Sequence, residues 1–198
     1  ISFIEEDSME KETLEHIKLI RNNIERLDGS IKNILSYSQN NRSGLEIQRI
    51  DVKKTIAQVI DLLRNGKNSR DIDFQVEIQQ EIDFYSDFRR FTIILENLIS
   101  NAIKHHSDAS SERFIKVSCC SSENTLELIV EDNGIGIADD NHEKIFEMFF
   151  RISGNTDGSG IGLYILKEAV EKLQGSVKLI SKEGIGTTFI VTLKNLTP

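Results

Sequence analysis

Three stretches of this chain put chemically capable residues at informative spacings. In the run Glu96-Asn97-Leu98-Ile99-Ser100-Asn101-Ala102-Ile103-Lys104, the residues Asn97, Asn101 and Lys104 fall at i, i+4 and i+7, one face of a helix. Two carboxamides and an ammonium aligned this way can hold a metal–phosphate group, with carbonyl oxygens for the cation and a positive charge for the phosphate. The same stripe also suits an ordinary solvated face. In Val130-Glu131-Asp132-Asn133-Gly134-Ile135-Gly136-Ile137, an apolar strand ends in an acid and two glycines follow. A carboxylate at Asp132 can accept a hydrogen bond from an exocyclic amine such as that of adenine, and the glycines let backbone approach a ligand closely; a simple strand-ending turn reads the same way. In Asp157-Gly158-Ser159-Gly160-Ile161-Gly162-Leu163, glycines open a helix, offering free N–H groups and a favourable dipole to phosphate. This is no Walker loop, because no Gly-Lys-Ser/Thr follows. It is no dinucleotide fingerprint either, since Leu163 stands at the third glycine and a loop precedes it.

These residues need a scaffold, and the pattern around them supplies one. Residues 52–63 and 88–105 read as helices, and residues 73–78 alternate as a strand. Ile115, Val117 and Cys119, then Leu126, Leu128 and Val130, alternate as two strands about a turn at 121–124. Residues 162–173 read as a helix burying Ile165, Leu166, Ala169, Val170 and Leu173, followed by strands at 176–180 and 188–193 around Gly184-Ile185-Gly186. Helices and strands without strict alternation predict an α+β sandwich with one sheet face covered by helices.

Ahead of this lies a long N-terminal helix over residues 9–39, with Ile17, Ile20, Ile24, Leu27, Ile31 and Ile34 spaced by threes and fours. Such a stripe must be buried, against its own domain or in a helical bundle. Its narrowness, length and terminal position favour a bundle that dimerises. Residues 1–4 read as the end of a preceding helix. The polar run 40–44 is the candidate boundary, dividing residues 1–44 from 45–198.

Composition narrows the function. The 198 residues are 38% apolar and 28% charged, enough apolar material for a core, and 32 acids against 24 bases give a net charge of −8. That balance repels nucleic-acid phosphates and anionic membranes. The adjacent Cys119 and Cys120 should face opposite sides of a strand, so no mutual disulfide is expected and a reducing, cytoplasmic setting fits. No apolar run reaches the roughly 18–20 residues needed to span a bilayer, and the N-terminus is not a signal peptide; any anchor of a longer parent lies elsewhere. His106 and His142 read as surface residues, and no metal-ligand cluster is visible.

The order of the motifs resembles the ATP-binding domain shared by histidine kinases, gyrase, the heat-shock chaperone and mismatch-repair ATPases. Residues 97–104 are similar to its N box, 132–136 to the first glycine box, 144–151 to the F box, 158–162 to the second glycine box and 184–189 to the closing strand motif. The resemblance spans residues 50–195 and implies a Bergerat-type fold, a mixed sheet covered by helices on one face, that binds ATP and Mg²⁺. It implies that Asn101 coordinates Mg²⁺, that Asn97 supports the same face and that Lys104 reaches phosphate. Asp132 would accept from the adenine amine with help from Thr187 through water, with Gly134, Gly136 and Ile137 against the base. Residues 146–158 would form a lid carrying Phe149 and Arg151. Gly158, Ser159, Gly160, Ile161, Gly162 and Leu163 would wrap the triphosphate. His105 would touch phosphate or serve in packing.

One position separates the branches of that family. Its water-activating ATPases and serine kinases carry a glutamate four residues before the metal-binding asparagine, where this chain has Asn97. A carboxamide is no general base, and Glu96 is offset by about 100° around the helix. Histidine kinases tolerate asparagine there, because an imidazole is already a nucleophile. The N-terminal helix, with Arg26-Leu27-Asp28 and Ile34-Leu35-Ser36-Tyr37-Ser38, resembles the second helix of a dimerisation and phosphoacceptor hairpin. Its acceptor motif is missing: the only proline is Pro198, and His16 sits on the wrong helix. The acceptor histidine is therefore expected upstream of Ile1, and this chain should bind ATP without phosphorylating itself. No catalytic residue is assigned within it. The resemblance implies transfer of the ATP γ-phosphoryl to that histidine and then to a response-regulator aspartate. The partners implied are a second copy through the hairpin, a receiver domain and an upstream sensor domain, with no nucleic acid and no membrane contact. The alternatives are a non-catalytic ATP-binding regulator and a hydrolytic ATPase.

Overall fold

The structure, a computed structural model, describes residues 44–64, 71–106, 112–152 and 159–196, together with scattered positions between 13 and 31. Most of the N-terminal seam, Leu27 and Ile34 included, lies outside the described residues. Those of its positions that are described, among them Ile17, Ile20, Ile24 and Ile31, are helical and exposed.

The main sheet has five strands in the order β2 (Ile72–Gln79), β4 (Arg113–Ser121), β5 (Thr125–Asp132), β7 (Gly186–Lys194) and β6 (Ser176–Lys182). β2 pairs parallel to β4 and every other pair is antiparallel, so the sheet is mixed. Period-two patterning decides which side is covered. Thr187, Phe189, Val191 and Leu193 of β7 are buried while their neighbours are partly exposed, and Leu126, Leu128 and Val130 repeat this in β5. Cys119 is buried and Cys120 exposed, the opposite facing expected of adjacent strand residues.

Three helices lie over the buried side: α1 (Val52–Arg64), α2 (Phe88–Lys104) and α3 (Gly162–Lys172). α2 turns Phe91, Ile94, Leu95, Leu98, Ile99 and Ala102 inward at helical spacing, and α3 buries Ile165, Leu166, Ala169 and Val170. Each fully buried aliphatic side chain of this kind contributes on the order of 2 kcal/mol from burial. The fold is the expected α+β sandwich.

One element is absent from the sequence-based expectation. β1 (Ile47–Ile50) and β3 (Phe84–Asp87) form a separate antiparallel ribbon. Four residues each are too short to display a period. They are held instead by a buried ion pair, Asp87 with Arg90 at 2.6 Å, whose side chains are 5% and 2% exposed. Asp87 caps α2 by accepting from the Arg90 N–H at 2.9 Å. The same carboxylate accepts from the Glu46 N–H at 3.0 Å, and the Arg90 guanidinium donates to the Gly44 carbonyl at 3.2 Å.

Candidate functional site

A cleft of about 730 Å³ opens between α2, the start of α3 and the ends of β5 and β7. Asp132 and Thr187 line its floor, and they belong to a row that crosses the sheet. Asp132 on β5 pairs with Thr187 on β7, which pairs with Ser181 on β6. The Asp132 carboxylate accepts from the Gly134 N–H at 2.8 Å. Burial raises its pKa from 3.8 to about 6; hydrogen bonds from the Gly134 and Thr187 backbones pull the other way, and the Glu131 charge adds to the rise.

The glycine turn after Asp132 is pinned at both ends. The Ile135 N–H donates to the His105 carbonyl at 2.9 Å, and a Cβ on Gly134 would collide with that carbonyl. Gly136 adopts φ +66, and a Cβ there would strike the Lys182 carbonyl. Gly134 therefore braces the turn and does not line the cleft, whereas Gly136 and Ile137 do.

α2 forms the wall. Asn97, Asn101, Lys104 and His105 all line the cleft, as their shared helical face requires. Asn97 Nδ2 donates to the Ile93 carbonyl at 2.8 Å, fixing the carboxamide. Asn101 carries a buried Nδ2 with no hydrogen-bond partner, and a half-turn of the amide exchanges its nitrogen and oxygen. His105 is held below its ordinary pKa by burial, then by the neighbouring Lys104 and His106 charges, so it is a neutral imidazole at pH 7.

The remaining side comes from the glycine loop and the start of α3. Ser159, Gly160, Gly162 and Leu163 line the cleft, as does Arg151. Gly160, at φ +70, packs on the Phe149–Phe150 backbone and accepts from the Phe149 N–H at 2.9 Å. Two expected residues stand elsewhere. Ile161 is buried beneath the start of α3, and Phe149, at φ +67, is 63% exposed and off the cleft wall. Gly158 lies outside the described residues.

Other side chains were not anticipated. Glu96 lines the cleft beside Asn97; the opening is wide enough to take in two adjacent rows of α2, so an offset of one residue does not remove it. Burial raises its pKa. Ser181 lies in phase with the inward Val177 and Leu179 of β6, an alternation that marks it as facing the floor. His106 and His142 are half-buried rather than on the surface, each bonded to a backbone carbonyl, of Ile103 at 2.7 Å and of Ile137 at 3.1 Å. Among the described residues, no group of three His, Cys, Asp or Glu side chains is placed to hold a metal, and no helix is long and apolar enough to cross a membrane.

Fold and cleft together define an ATP-binding ATPase domain. Residues 86–197, more than half of the chain, match the model of the family described as Histidine kinase-, DNA gyrase B-, and HSP90-like ATPase, and the chain belongs to that family. It is 28% identical to the sensor histidine kinase AtsR of Burkholderia thailandensis over 89% of this chain and 31% of that protein. It is 30% identical to the autoinducer 2 sensor kinase/phosphatase LuxQ of Vibrio parahaemolyticus over 94% of this chain and 23% of that protein. The chain thus spans less than a third of the length of either relative. The fold is shared with the Acinetobacter baumannii histidine kinase AdeS, at TM-score 0.71 and 21% identity over 91% of this chain and 84% of that one. It is also shared with full-length ShkA in complex with AMPPNP, at TM-score 0.70 and 23% identity over 82% and 34%.

Proposed function

We propose that residues 45–198 are the catalytic domain, and residues 1–44 part of the dimerisation hairpin, of a sensor histidine kinase that works in the cytoplasm. The observation that carries this reading is convergence: Asn101, Asp132 and Gly160, far apart in sequence, line one cleft. Asp132 and Thr187 receive the adenine edge, with Gly136 and Ile137 beside the base. Ser159, Gly160, Gly162 and Leu163 meet the triphosphate, with Lys104 and Arg151 supplying positive charge. His105, being neutral, hydrogen-bonds or packs rather than adding charge. The Asn101 carboxamide lines the cleft, where its oxygen suits a ligand to Mg²⁺, and Asn97 supports it. When bound, Mg²⁺ would neutralise charge on the phosphates.

The chain's own residues orient the γ-phosphate and exclude water, while the nucleophile comes from a histidine on a segment outside these 198 residues. Its imidazole nitrogen forms a bond to the γ-phosphorus as the bond to the bridging oxygen breaks, and ADP departs. A receiver-domain aspartate takes the phosphoryl group next. A second copy of the protein pairs through the hairpin, and a sensor region sets the rate. The test is acid-labile label from γ-labelled ATP. The longer protein acquires it and the 198-residue chain alone does not; an unlabelled longer protein makes this a nucleotide-binding regulator instead.

Glu96 favours a second reading, hydrolysis, because a half-buried carboxyl with a raised pKa lines the same cleft. Phosphate release by this chain that Glu96→Gln abolishes would establish it over the kinase.

A further inference from the structure

Ser181 has three atoms to answer to and one proton to give. Its Oγ accepts from the Ile137 N–H at 2.8 Å, lies 2.8 Å from the Gly186 carbonyl and lies 3.0 Å from the Thr187 hydroxyl. A carbonyl oxygen cannot donate, so the 2.8 Å contact with Gly186 requires the serine proton. The contact with Thr187 then has to be filled by the threonine proton, because two bare oxygens would repel at 3.0 Å. No other assignment puts a proton in both contacts. Thr187 is buried, lines the cleft, and sits directly opposite Asp132 in the β5–β7 register.

We propose that Ser181 is a positioning residue that fixes the polarity of Thr187, so that the base end of the cleft presents only hydrogen-bond acceptors beside Asp132. A base edge with an exocyclic amine matches such a surface, whereas a 6-oxo purine puts a carbonyl oxygen where that amine stood, so that acceptor faces acceptor at Asp132 and the base is disfavoured. The inference rests on the nucleotide-binding reading above and extends it from a binding site to the residue that sets base selectivity. Ser181 also holds the Ile137 N–H, so it ties the glycine turn to the same polarity.

The test compares ATP and inosine triphosphate by calorimetry on the intact chain with Mg²⁺. The wild-type chain should prefer ATP. Ser181→Ala frees the Thr187 proton to turn into the cleft, and the preference should fall about tenfold, the size of one neutral hydrogen bond. Ser181→Thr keeps a hydroxyl and should retain the wild-type ratio. Ser181→Cys keeps the volume with a poor acceptor and should shift the ratio in the direction of alanine, which serves if the alanine variant does not fold. A purely structural role lowers both affinities and leaves their ratio unchanged; that result in the alanine or cysteine variant overturns the inference while leaving the nucleotide site standing. A wild-type chain that binds ATP without preferring it to inosine triphosphate also overturns it. Binding of neither nucleotide by the wild type removes the site itself, and the inference with it.

Discussion

Gly162, the first residue of α3, faces Asn97 so closely that a Cβ would sit 2.6 Å from the Asn97 Oδ1. The carboxamide cannot easily yield, because its nitrogen is already committed to the Ile93 carbonyl at 2.8 Å. One glycine thus sets how near the N-terminus of α3 comes to the polar face of α2, and with it the width of the cleft. Gly162→Ala should weaken ATP binding tenfold or more, the consequence of about 1–3 kcal/mol of overpacking. Calorimetry gives the affinity and a thermal melt gives the fold. A loss of affinity with the melting temperature within a few degrees of wild type supports the argument, and unchanged affinity refutes it.

Asp132 links stability to binding in opposite senses. Its pKa is raised from 3.8 to about 6, so between those values the folded protein holds a proton that the unfolded chain has released. Stability therefore falls as pH rises from about 4 to about 6 and is level above that. Asp132→Asn removes the loss and should stabilise the chain at pH 7 by on the order of 2 kcal/mol, read as a higher urea midpoint. The same change should weaken ATP binding at least tenfold, because the amine needs an ionised acceptor. In the wild type, affinity should climb with pH through about 6 and then flatten. A variant neither more stable nor weaker in binding would place Asp132 outside the pocket.

Mg²⁺ and Asn101 should act as one. Chelating the metal should lower ATP affinity in the wild type. Asn101→Ala should already sit near that lower value and respond little to chelation, since its carboxamide oxygen is gone. Titrations with and without chelator check this. Equal metal dependence in both proteins would assign the cation to other atoms.

The Asp87–Arg90 pair carries a separate prediction about folding. Burial raises the Asp87 pKa, but the Glu46 and Arg90 backbone N–H groups and the Arg90 charge outweigh it, so the carboxyl lies below its ordinary 3.8. Its stabilisation is complete above that value and disappears as pH falls through the lowered folded pKa. Asp87→Ala strands a buried guanidinium and should cost about 3–5 kcal/mol, measured by urea unfolding at pH 7. The difference between variant and parent should shrink in acid. A difference that does not depend on pH would mean that the carboxylate's charge plays no part.

Much of this could be read in the chain because periodicity reports burial. The alternation of Leu126, Leu128 and Val130 located β5 and so placed Asp132 at its end, and the i, i+4, i+7 spacing put Asn97, Asn101 and Lys104 on one wall. What escaped depends on contacts made across the fold. β1 and β3 owe their pairing to Asp87 and Arg90, which nothing in eight short residues reveals. Phe149 and Ile161 belong to the right motifs, yet one turns outward and the other beneath α3, because a motif gives neighbours and not directions. Glu96 was excluded by a helical angle that a broad opening makes irrelevant. Ser181 was legible in phase but not in purpose, since its role exists only where β6, β7 and the glycine turn meet.

The clasp at Gly44 and Glu46 has a mechanical side. The backbone entering the domain is fastened, by one carbonyl and one amide, to the first turn of the helix whose far half bears Asn97 and Asn101. A twist delivered along the preceding chain would act first on the near end of a helix about 25 Å long for seventeen residues, whose far half carries Asn97, Asn101 and Lys104 on the cleft wall.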